Sequence, residues 1–131
     1  MTAPSLEGCS VLVLEDDFYL ADDIAEALRR AGARVLGPFA NAAGALASLR
    51  GARPDLAVLD VNLGAETSIE VGRGLRGDGV PILFATGYDA SALPPDLADA
   101  AYLPKPVNMT ALVSRLRDLR GERQTLPLRT P

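Results

Sequence analysis

The sequence predicts an α/β fold in which a parallel sheet carries helices on both faces. Short apolar runs without alternation, such as Val11-Leu12-Val13-Leu14, are typical of strands that are buried on both sides in such sheets. Between these runs, apolar residues recur at helical spacing, as in Leu20, Ile24, Ala27 and Leu28. The regular alternation of the two patterns over 131 residues indicates one doubly wound domain.

Five short apolar segments are predicted as strands. They are residues 10–14, 34–37, 55–60, 80–86 and 100–103. The third ends in a carboxylate, Asp60, and a charge at the end of a buried strand is costly unless a partner or a metal compensates it. The fourth contains Pro81, which is tolerable because it lies at the start of the strand.

Helices are predicted after each strand; glycines at 72 and 74 weaken the third, and the fourth is interrupted. Asn41 can cap the second helix, and Thr67-Ser68-Ile69-Glu70 has the spacing of a capping box for the third. Pro94-Pro95 forbids an uninterrupted fourth helix, so the segment 89–99 is predicted to be short or irregular. The last helix carries an apolar stripe formed by Met109, Leu112, Val113, Leu116 and Leu119. We therefore expect a domain over residues 8–120 and a flexible C-terminal tail over residues 121–131.

Composition restricts the classes of function. The net charge of −4 disfavours direct contact with nucleic acid, and no apolar stretch has the length of a membrane span. Residues 1–8 lack the basic residues and apolar core of a signal peptide, so a cytoplasmic location is expected. The single cysteine, Cys9, is expected to fill space in the core. The chain has no histidine, so its chemistry must use carboxylates, hydroxyls and lysine.

The residues that close the predicted strands are the candidates for chemistry, because ligands bind at the carboxyl ends of the strands in an open parallel sheet. These closing residues are Glu15, Asp16 and Asp17 after strand one, Asp60 in strand three, Thr86 in strand four and Lys105 after strand five. We therefore expect three or four carboxylates, a hydroxyl and an amine to meet at one edge of the sheet.

This set of side chains is suited to a metal ion and a phosphoryl group. Ionised carboxylates in a cluster repel one another, which raises the pKa of at least one of them unless a cation lies among them. Oxygen ligands without histidine or thiol favour a hard cation, and Mg²⁺ fits because it keeps water and phosphate oxygens as its remaining ligands. A carboxylate beside Mg²⁺ and a lysine can also act as a nucleophile and form an acyl phosphate.

Four stretches of the sequence resemble the receiver domains of two-component response regulators. They are residues 12–16 (LVLED), 59–63 (LDVNL), 82–86 (ILFAT) and 102–106 (YLPKP). The resemblance covers about residues 8 to 120 and depends on the four stretches occurring in order. It implies a flavodoxin-like (βα)5 fold, with five parallel strands in the order 2-1-3-4-5.

The resemblance implies roles for the residues that handle the phosphoryl group. Asp60 is implied as the phosphoacceptor, Thr86 as the switch hydroxyl and Lys105 as the lysine that pairs with the phosphate. Tyr102 is implied as the aromatic residue that changes rotamer together with Thr86. The bond before Pro106 is implied to be cis.

The resemblance also implies a set of Mg²⁺ ligands. They are the carboxylates of Glu15, Asp16 and Asp60 and the backbone carbonyl of Asn62. Asp17 lies one position past the acidic pair and is predicted to be a helix N-cap, although a shift of register by one residue is left open.

One further stretch, Phe84-Ala85-Thr86-Gly87-Tyr88, is similar to a receiver subgroup named for a Phe-Ala-Thr-Gly-Tyr-like sequence, found mostly as stand-alone domains in alphaproteobacterial stress signalling. Gly64 stands where the commoner receiver pattern has a proline, so the loop after Asp60 is expected to move differently. Tyr88 would lie over the mouth of the site. Its ring either shields an acyl phosphate from water or packs on the irregular segment, and both alternatives are open.

Two other patterns suggest functions that context disfavours. Residues 72–77 read G-x-G-x-x-G, but they fall at the end of a predicted helix rather than between a strand and a helix, which argues against a dinucleotide site. The arginines of the last helix could form a partner patch, although such charge is usually a solvated face. They are Arg115, Arg117, Arg120 and Arg123.

The predicted function is that of a stand-alone response regulator and not of an enzyme. A histidine kinase or a histidine phosphotransfer protein would donate the phosphoryl group to Asp60. The phosphorylated protein would bind an output partner that the sequence does not identify, or it would act as a shuttle or sink for the phosphoryl group. We expect a monomer or a weak homodimer.

Two alternatives to this function are weighed. The first is a phosphatase of the haloacid dehalogenase type, whose second position after the nucleophile is an acid/base aspartate rather than an amide such as Asn62. The second is a receiver-like module that is never phosphorylated, against which the set Asp60, Thr86 and Lys105 argues.

Overall fold

The computed structural model describes residues 5–87 and 93–125. A two-stranded antiparallel ribbon stands apart from a sheet of five parallel strands. In chain order the strands are β1 (Ser10–Leu14), β2 (Arg34–Phe39), β3 (Leu56–Asp60), β4 (Asn62–Leu63), β5 (Glu66–Thr67), β6 (Ile82–Thr86) and β7 (Ala101–Pro104), of which β4 and β5 form the ribbon. The sheet order is β2-β1-β3-β6-β7, which confirms the predicted order 2-1-3-4-5 of the five main strands. The ribbon was not predicted.

Helices flank the sheet. They are α1 (Phe18–Arg30), α2 (Ala42–Leu49), α3 (Ile69–Gly77) and α4 (Met109–Thr125), together with a 3₁₀ turn at Pro95–Leu97. None of the helices within the described ranges combines the length and the apolar content that crossing a bilayer requires.

The three central strands, β1, β3 and β6, are buried along their whole length. Because successive side chains of a strand point to opposite faces, they supply two separate apolar clusters. One cluster contains Leu59 and Phe84 and packs against α2 and α3, and the other contains Val58 and Leu83 and packs against α1 and α4. Cys9 lies fully buried in the second cluster, as expected. The prediction of helices on both faces is confirmed.

Two of the three predicted helix caps are present. The Asp17 side chain accepts hydrogen bonds from the amides of Tyr19 and Leu20, and Asn41 caps α2 by accepting from the Gly44 amide. The capping box at Thr67 is wrong: the backbone of Thr67 belongs to the ribbon, opposite Asn62. The helix α3 therefore begins one residue later, and its N-cap, Ser68, makes no side-chain capping bond.

The second strand runs further than residues 34–37. It continues through the cis Gly37–Pro38 bond to Phe39. A proline is tolerated there because β2 is an edge strand of the sheet. The pairing with β1 shifts register between Leu12 and Leu14, and this shift accommodates the cis bond within β2.

The described part of the connection between β6 and β7 contains little helix, as predicted. It holds the single 3₁₀ turn that follows Pro94, with Leu97 fully buried. Two ion pairs join this part to α3. Arg73 Nε lies 2.9 Å from Asp96 and Arg76 lies 2.7 Å from Asp99. Residues 88–92, including Tyr88, lie outside the described residues.

The last helix passes the expected domain boundary. Instead of ending before Gly121, α4 continues to Thr125, and the flexible tail stays a prediction. Residues 126–131 are not among those described. Arg120 donates hydrogen bonds to the carbonyls of Ser5 (2.6 Å) and Glu7 (3.1 Å), so it holds the N-terminal segment rather than forming part of a solvated face.

Candidate functional site

The carboxyl ends of four neighbouring strands bring the predicted site residues to one edge of the sheet. Glu15 follows β1 directly, Asp60 and Thr86 are the last residues of β3 and β6, and Lys105 follows β7. The Lys105 amide donates to the Thr86 carbonyl at 2.9 Å, which extends the pairing of β6 and β7 by one step. The sheet register therefore fixes the backbone from which each of these side chains projects.

Lys105 lies between the two buried carboxylates. Its Nζ donates a hydrogen bond to Oδ2 of Asp60 at 3.0 Å. It also forms an ion pair with Glu15, whose Oε1 lies 2.9 Å away. The Lys105 side chain is 25% exposed, whereas those of Glu15 and Asp60 are 2% and 6% exposed. Lys105 is also the only lysine in the chain.

The environment of the site raises the pKa values of Glu15 and Lys105. Burial raises the pKa of Glu15 to about 7, although the Lys105 ammonium and the Asp17 amide, 3.1 Å from Oε2, act in the opposite direction. Burial alone would lower the pKa of Lys105, but its contacts with Glu15 and Asp60 outweigh that effect and raise it overall. Without a further cation, Glu15 is therefore partly protonated near neutral pH.

Three carboxylates form a compact oxygen cluster. Glu15, Asp16 and Asp60 each offer an oxygen, and these atoms lie within 4.8 Å of one another. Asp16 is exposed while the other two are buried, so the cluster opens to solvent on one side. With one ammonium for three carboxylates, negative charge is in excess, which fits a hard divalent cation.

The backbone carbonyl of Asn62 points away from the partner strand of the ribbon. Asn62 pairs with Thr67 in the ribbon, and a hydrogen bond from the Ser68 amide to the Val61 carbonyl, at 2.9 Å, flanks this pair. The pair is therefore the kind whose own N–H and C=O groups point away from the partner strand. The ribbon leaves this carbonyl directed away from Thr67.

Gly64, which stands where the receiver pattern has proline, has a conformational reason to be glycine. The ribbon is closed by a two-residue loop, Gly64–Ala65. Gly64 has φ +72°, and Ala65 does not have a positive φ. Positive φ at the first loop position alone is the pattern of a type II′ turn, and proline, with φ fixed near −65°, cannot adopt it.

Other predicted residues lie beside the cluster rather than in it. Asp17 is the N-cap of α1, as predicted, and the carboxylates that cluster with Asp60 are those of Glu15 and Asp16. Tyr102 lies in β7, partly buried and opposite Phe84 of β6. The bond before Pro106 is cis, as implied.

Two features near the site were missed in the sequence. Phe18 and Tyr19, at the start of α1, are 76% and 80% exposed and pack edge to face with ring centroids 5.6 Å apart. Phe18 lines a cavity of about 180 Å³ together with Glu15 and Phe39. The second feature is the ribbon, for which the Gly64–Ala65 pair between Leu63 and Glu66 was the available signal.

Comparisons with known proteins agree with this arrangement. A family model described as "Response regulator receiver domain" matches residues 11–117. "DNA-binding response regulator MtrA" of Mycobacterium leprae is 37% identical over 113 residues, which cover 82% of this chain and 49% of that protein. "Sensory transduction protein LytT" of Bacillus cereus is 30% identical over 119 residues, which cover 88% of this chain and 48% of that protein. The chain thus spans about half the length of these relatives.

The fold is also similar to solved structures. The crystal structure of a "response regulator receiver domain protein (CheY-like)" from Methanospirillum hungatei JF-1 superposes with a TM-score of 0.77 at 24% identity, covering 90% of this chain and 98% of that one. At this level of identity the likeness shows the fold.

Proposed function

Since the chain belongs to the family of response regulator receiver domains, we propose that Asp60 accepts a phosphoryl group from a phosphorylated histidine of a partner protein. The observation that carries this proposal is a buried carboxylate held at 3.0 Å by the only lysine of the chain, within a cluster of two further carboxylates. The donor would be a histidine kinase or a histidine phosphotransfer protein.

The proposed transfer uses three side chains of this chain. A carboxylate oxygen of Asp60 attacks the phosphorus, the P–N bond to the donor imidazole breaks, and the imidazole nitrogen keeps the electron pair and is protonated from water. Lys105 neutralises charge on the phosphoryl oxygens, and the Thr86 hydroxyl donates a hydrogen bond to one of them. The product is an acyl phosphate on Asp60, so the protein is a phosphoacceptor rather than an enzyme with turnover on an external substrate.

We propose Mg²⁺ as the cation of the carboxylate cluster. Glu15, Asp16, Asp60 and the Asn62 carbonyl would hold it, since they supply only oxygen ligands. When bound, Mg²⁺ supplies positive charge against the phosphoryl oxygens. Lys105 remains available as the second positive charge.

The proposed output is a change of affinity for another protein or domain. Engagement of Thr86 and Lys105 by the phosphoryl group would shift an equilibrium that involves β7, where Tyr102 changes rotamer. The net charge of −4 does not favour nucleic acid as the direct ligand of this domain. We further propose a cytoplasmic, stand-alone regulator of stress signalling, monomeric or weakly dimeric, that binds its partner or acts as a phosphoryl shuttle or sink.

Two alternative functions have less support. A phosphatase of the haloacid dehalogenase type needs an acid/base carboxyl two residues after the nucleophile, and that position is Asn62. Here the acceptor closes the third strand of the chain rather than the first. A module that is never phosphorylated would have no evident use for a buried Asp60 held by Lys105.

Incubation with Mg²⁺ and acetyl phosphate separates these functions. We expect intact-mass spectrometry to detect one added phosphoryl group that hydroxylamine removes. The adduct should be absent in Asp60→Asn and present in Asp23→Asn, which alters an exposed carboxylate of α1. Turnover of small phosphate esters would indicate a phosphatase, and no reaction would indicate an unphosphorylated module. Phosphotransfer from the histidine kinases of the host would then identify the donor.

A further inference from the structure

A hydrogen bond ties the ribbon after Asp60 to the start of α2. Oε1 of Glu66, in β5, accepts from the Ala42 amide at 2.7 Å. Ala42 is the first residue of α2, so its amide has no partner within the helix, and a carboxylate is favoured at that end by the helix dipole. Glu66 thus satisfies a backbone donor that lies 24 positions earlier in the chain.

The turn that precedes α2 is also bonded to the other side of the site. The Phe39 carbonyl, at the end of β2, accepts from the Glu15 amide at 2.9 Å. The turn from Phe39 to Ala42 therefore connects Glu15 with the ribbon that contains Asn62. Glu15 and Asn62 are both residues of the proposed cation site.

Apolar packing of Leu63 also helps to hold the ribbon in place. Leu63, the ribbon residue next to Asn62, is 7% exposed and belongs to the same apolar cluster as Phe39 and Ala42. The two-residue loop at Gly64 and the pairing of Leu63 with Glu66 link the two strands of the ribbon directly. A single contact at Glu66 can therefore determine where the Asn62 carbonyl stands.

We propose that Glu66 is a positioning residue of the cation site: it holds the ribbon, and with it the Asn62 carbonyl, at a fixed distance from Glu15. Glu66 contacts neither the phosphoryl group nor the cation and acts through the backbone of Ala42 and the ribbon. The inference depends on the proposed Mg²⁺ site.

The test compares three variants of the whole chain. Glu66→Ala removes the acceptor, Glu66→Gln retains an acceptor oxygen without the charge, and Glu26→Ala removes an exposed glutamate of α1 that pairs only with its helix neighbour Arg30 in the contacts seen here. Mg²⁺ affinity is measured by calorimetry, and hydrogen exchange reports on the amide of Ala42.

We expect Mg²⁺ to bind Glu66→Ala about three- to tenfold more weakly, as for the loss of one hydrogen bond. Glu66→Gln should recover most of the affinity and Glu26→Ala should match the wild type. Faster exchange of the Ala42 amide should accompany the weaker binding.

Equal affinity of Glu66→Ala and the wild type would overturn the inference. Equal weakening by Glu66→Gln would overturn it as well, because charge rather than the hydrogen bond would then be responsible. If the wild type binds no Mg²⁺, the proposed function fails instead, and unchanged exchange at Ala42 in Glu66→Ala would show separately that Glu66 does not restrain the ribbon.

Discussion

Replacing Lys105 by methionine tests how strongly the site depends on its one ammonium group. The substitution leaves Glu15 and Asp60, both nearly fully buried, without the cation that lies 2.9 and 3.0 Å from them. Removing one partner of a fully buried ion pair costs about 3 to 5 kcal/mol. Here the cost is smaller, because Lys105 is one-quarter exposed and Glu15 can take up a proton. We expect the metal-free protein to lose about 2 to 4 kcal/mol of unfolding free energy.

The chain offers a matched control on its surface. Arg30 pairs with Glu26 at 3.0 Å, nearly the same distance, but the two side chains are 79% and 56% exposed. Exposed pairs contribute little because water and salt screen them, so Arg30→Met should cost less than about 0.5 kcal/mol. The difference in unfolding free energy between the two variants therefore reports the effect of burial, because the two ion-pair distances are nearly the same.

Urea unfolding at neutral pH with EDTA gives both free energies, and repetition with Mg²⁺ gives the effect of the cation. Mg²⁺ should restore part of the stability of Lys105→Met. It should also bind this variant more tightly than the wild type, since Lys105 competes for the same carboxylates. If Lys105→Met keeps wild-type stability without metal, or if Arg30→Met loses as much as Lys105→Met, the electrostatic reasoning is refuted.

Three further predictions concern glycines and one carboxyl group. Gly74→Ala should raise stability by about 0.5 to 1 kcal/mol, because its added methyl group meets nothing within 4 Å. Gly72→Ala should gain no stability, since its Cβ would lie 3.2 Å from the Phe84 ring. Thermal melts compare the two variants. Gly64→Ala, at φ +72°, should lower stability by about 1 kcal/mol in the same melts. The pKa of Glu15 is raised in the folded state from an ordinary 4.5 to about 7, so its contribution is fully present below pH 4.5 and is lost as pH rises towards 7. Metal-free stability should therefore fall across that range, and Glu15→Gln should remove the slope.

Much of the site followed from one rule about parallel sheets. Their carboxyl ends share an edge, so Glu15, Asp60, Thr86 and Lys105 could be brought together from sequence once the apolar runs were recognised as strands. Those runs were clear because buried parallel strands lack polar alternation. The fold class was predictable for the same reason, whereas the strand order was implied by the resemblance to receiver domains.

The features that sequence did not predict depend on contacts between distant segments. The strands of the ribbon are two residues long, too short for any periodicity, and only the turn at Gly64 marked them. Thr67 matched a capping box, but its backbone was required by the ribbon. Nothing local in the sequence indicated that Glu66 would bond to Ala42 or that Arg120 would hold the N-terminal segment.

The unusual amine content of the chain affects how it can be handled. Lys105 supplies the only side-chain amine, so amine-directed labels, cross-linkers and coupling matrices that react beyond the N-terminal amine would modify the carboxylate site itself. Cys9 offers no substitute attachment point, because it is fully buried. Partner searches are therefore better made through a terminal tag. In turn, the acylation rate of one lysine, read by mass spectrometry, would report directly whether the site is occupied.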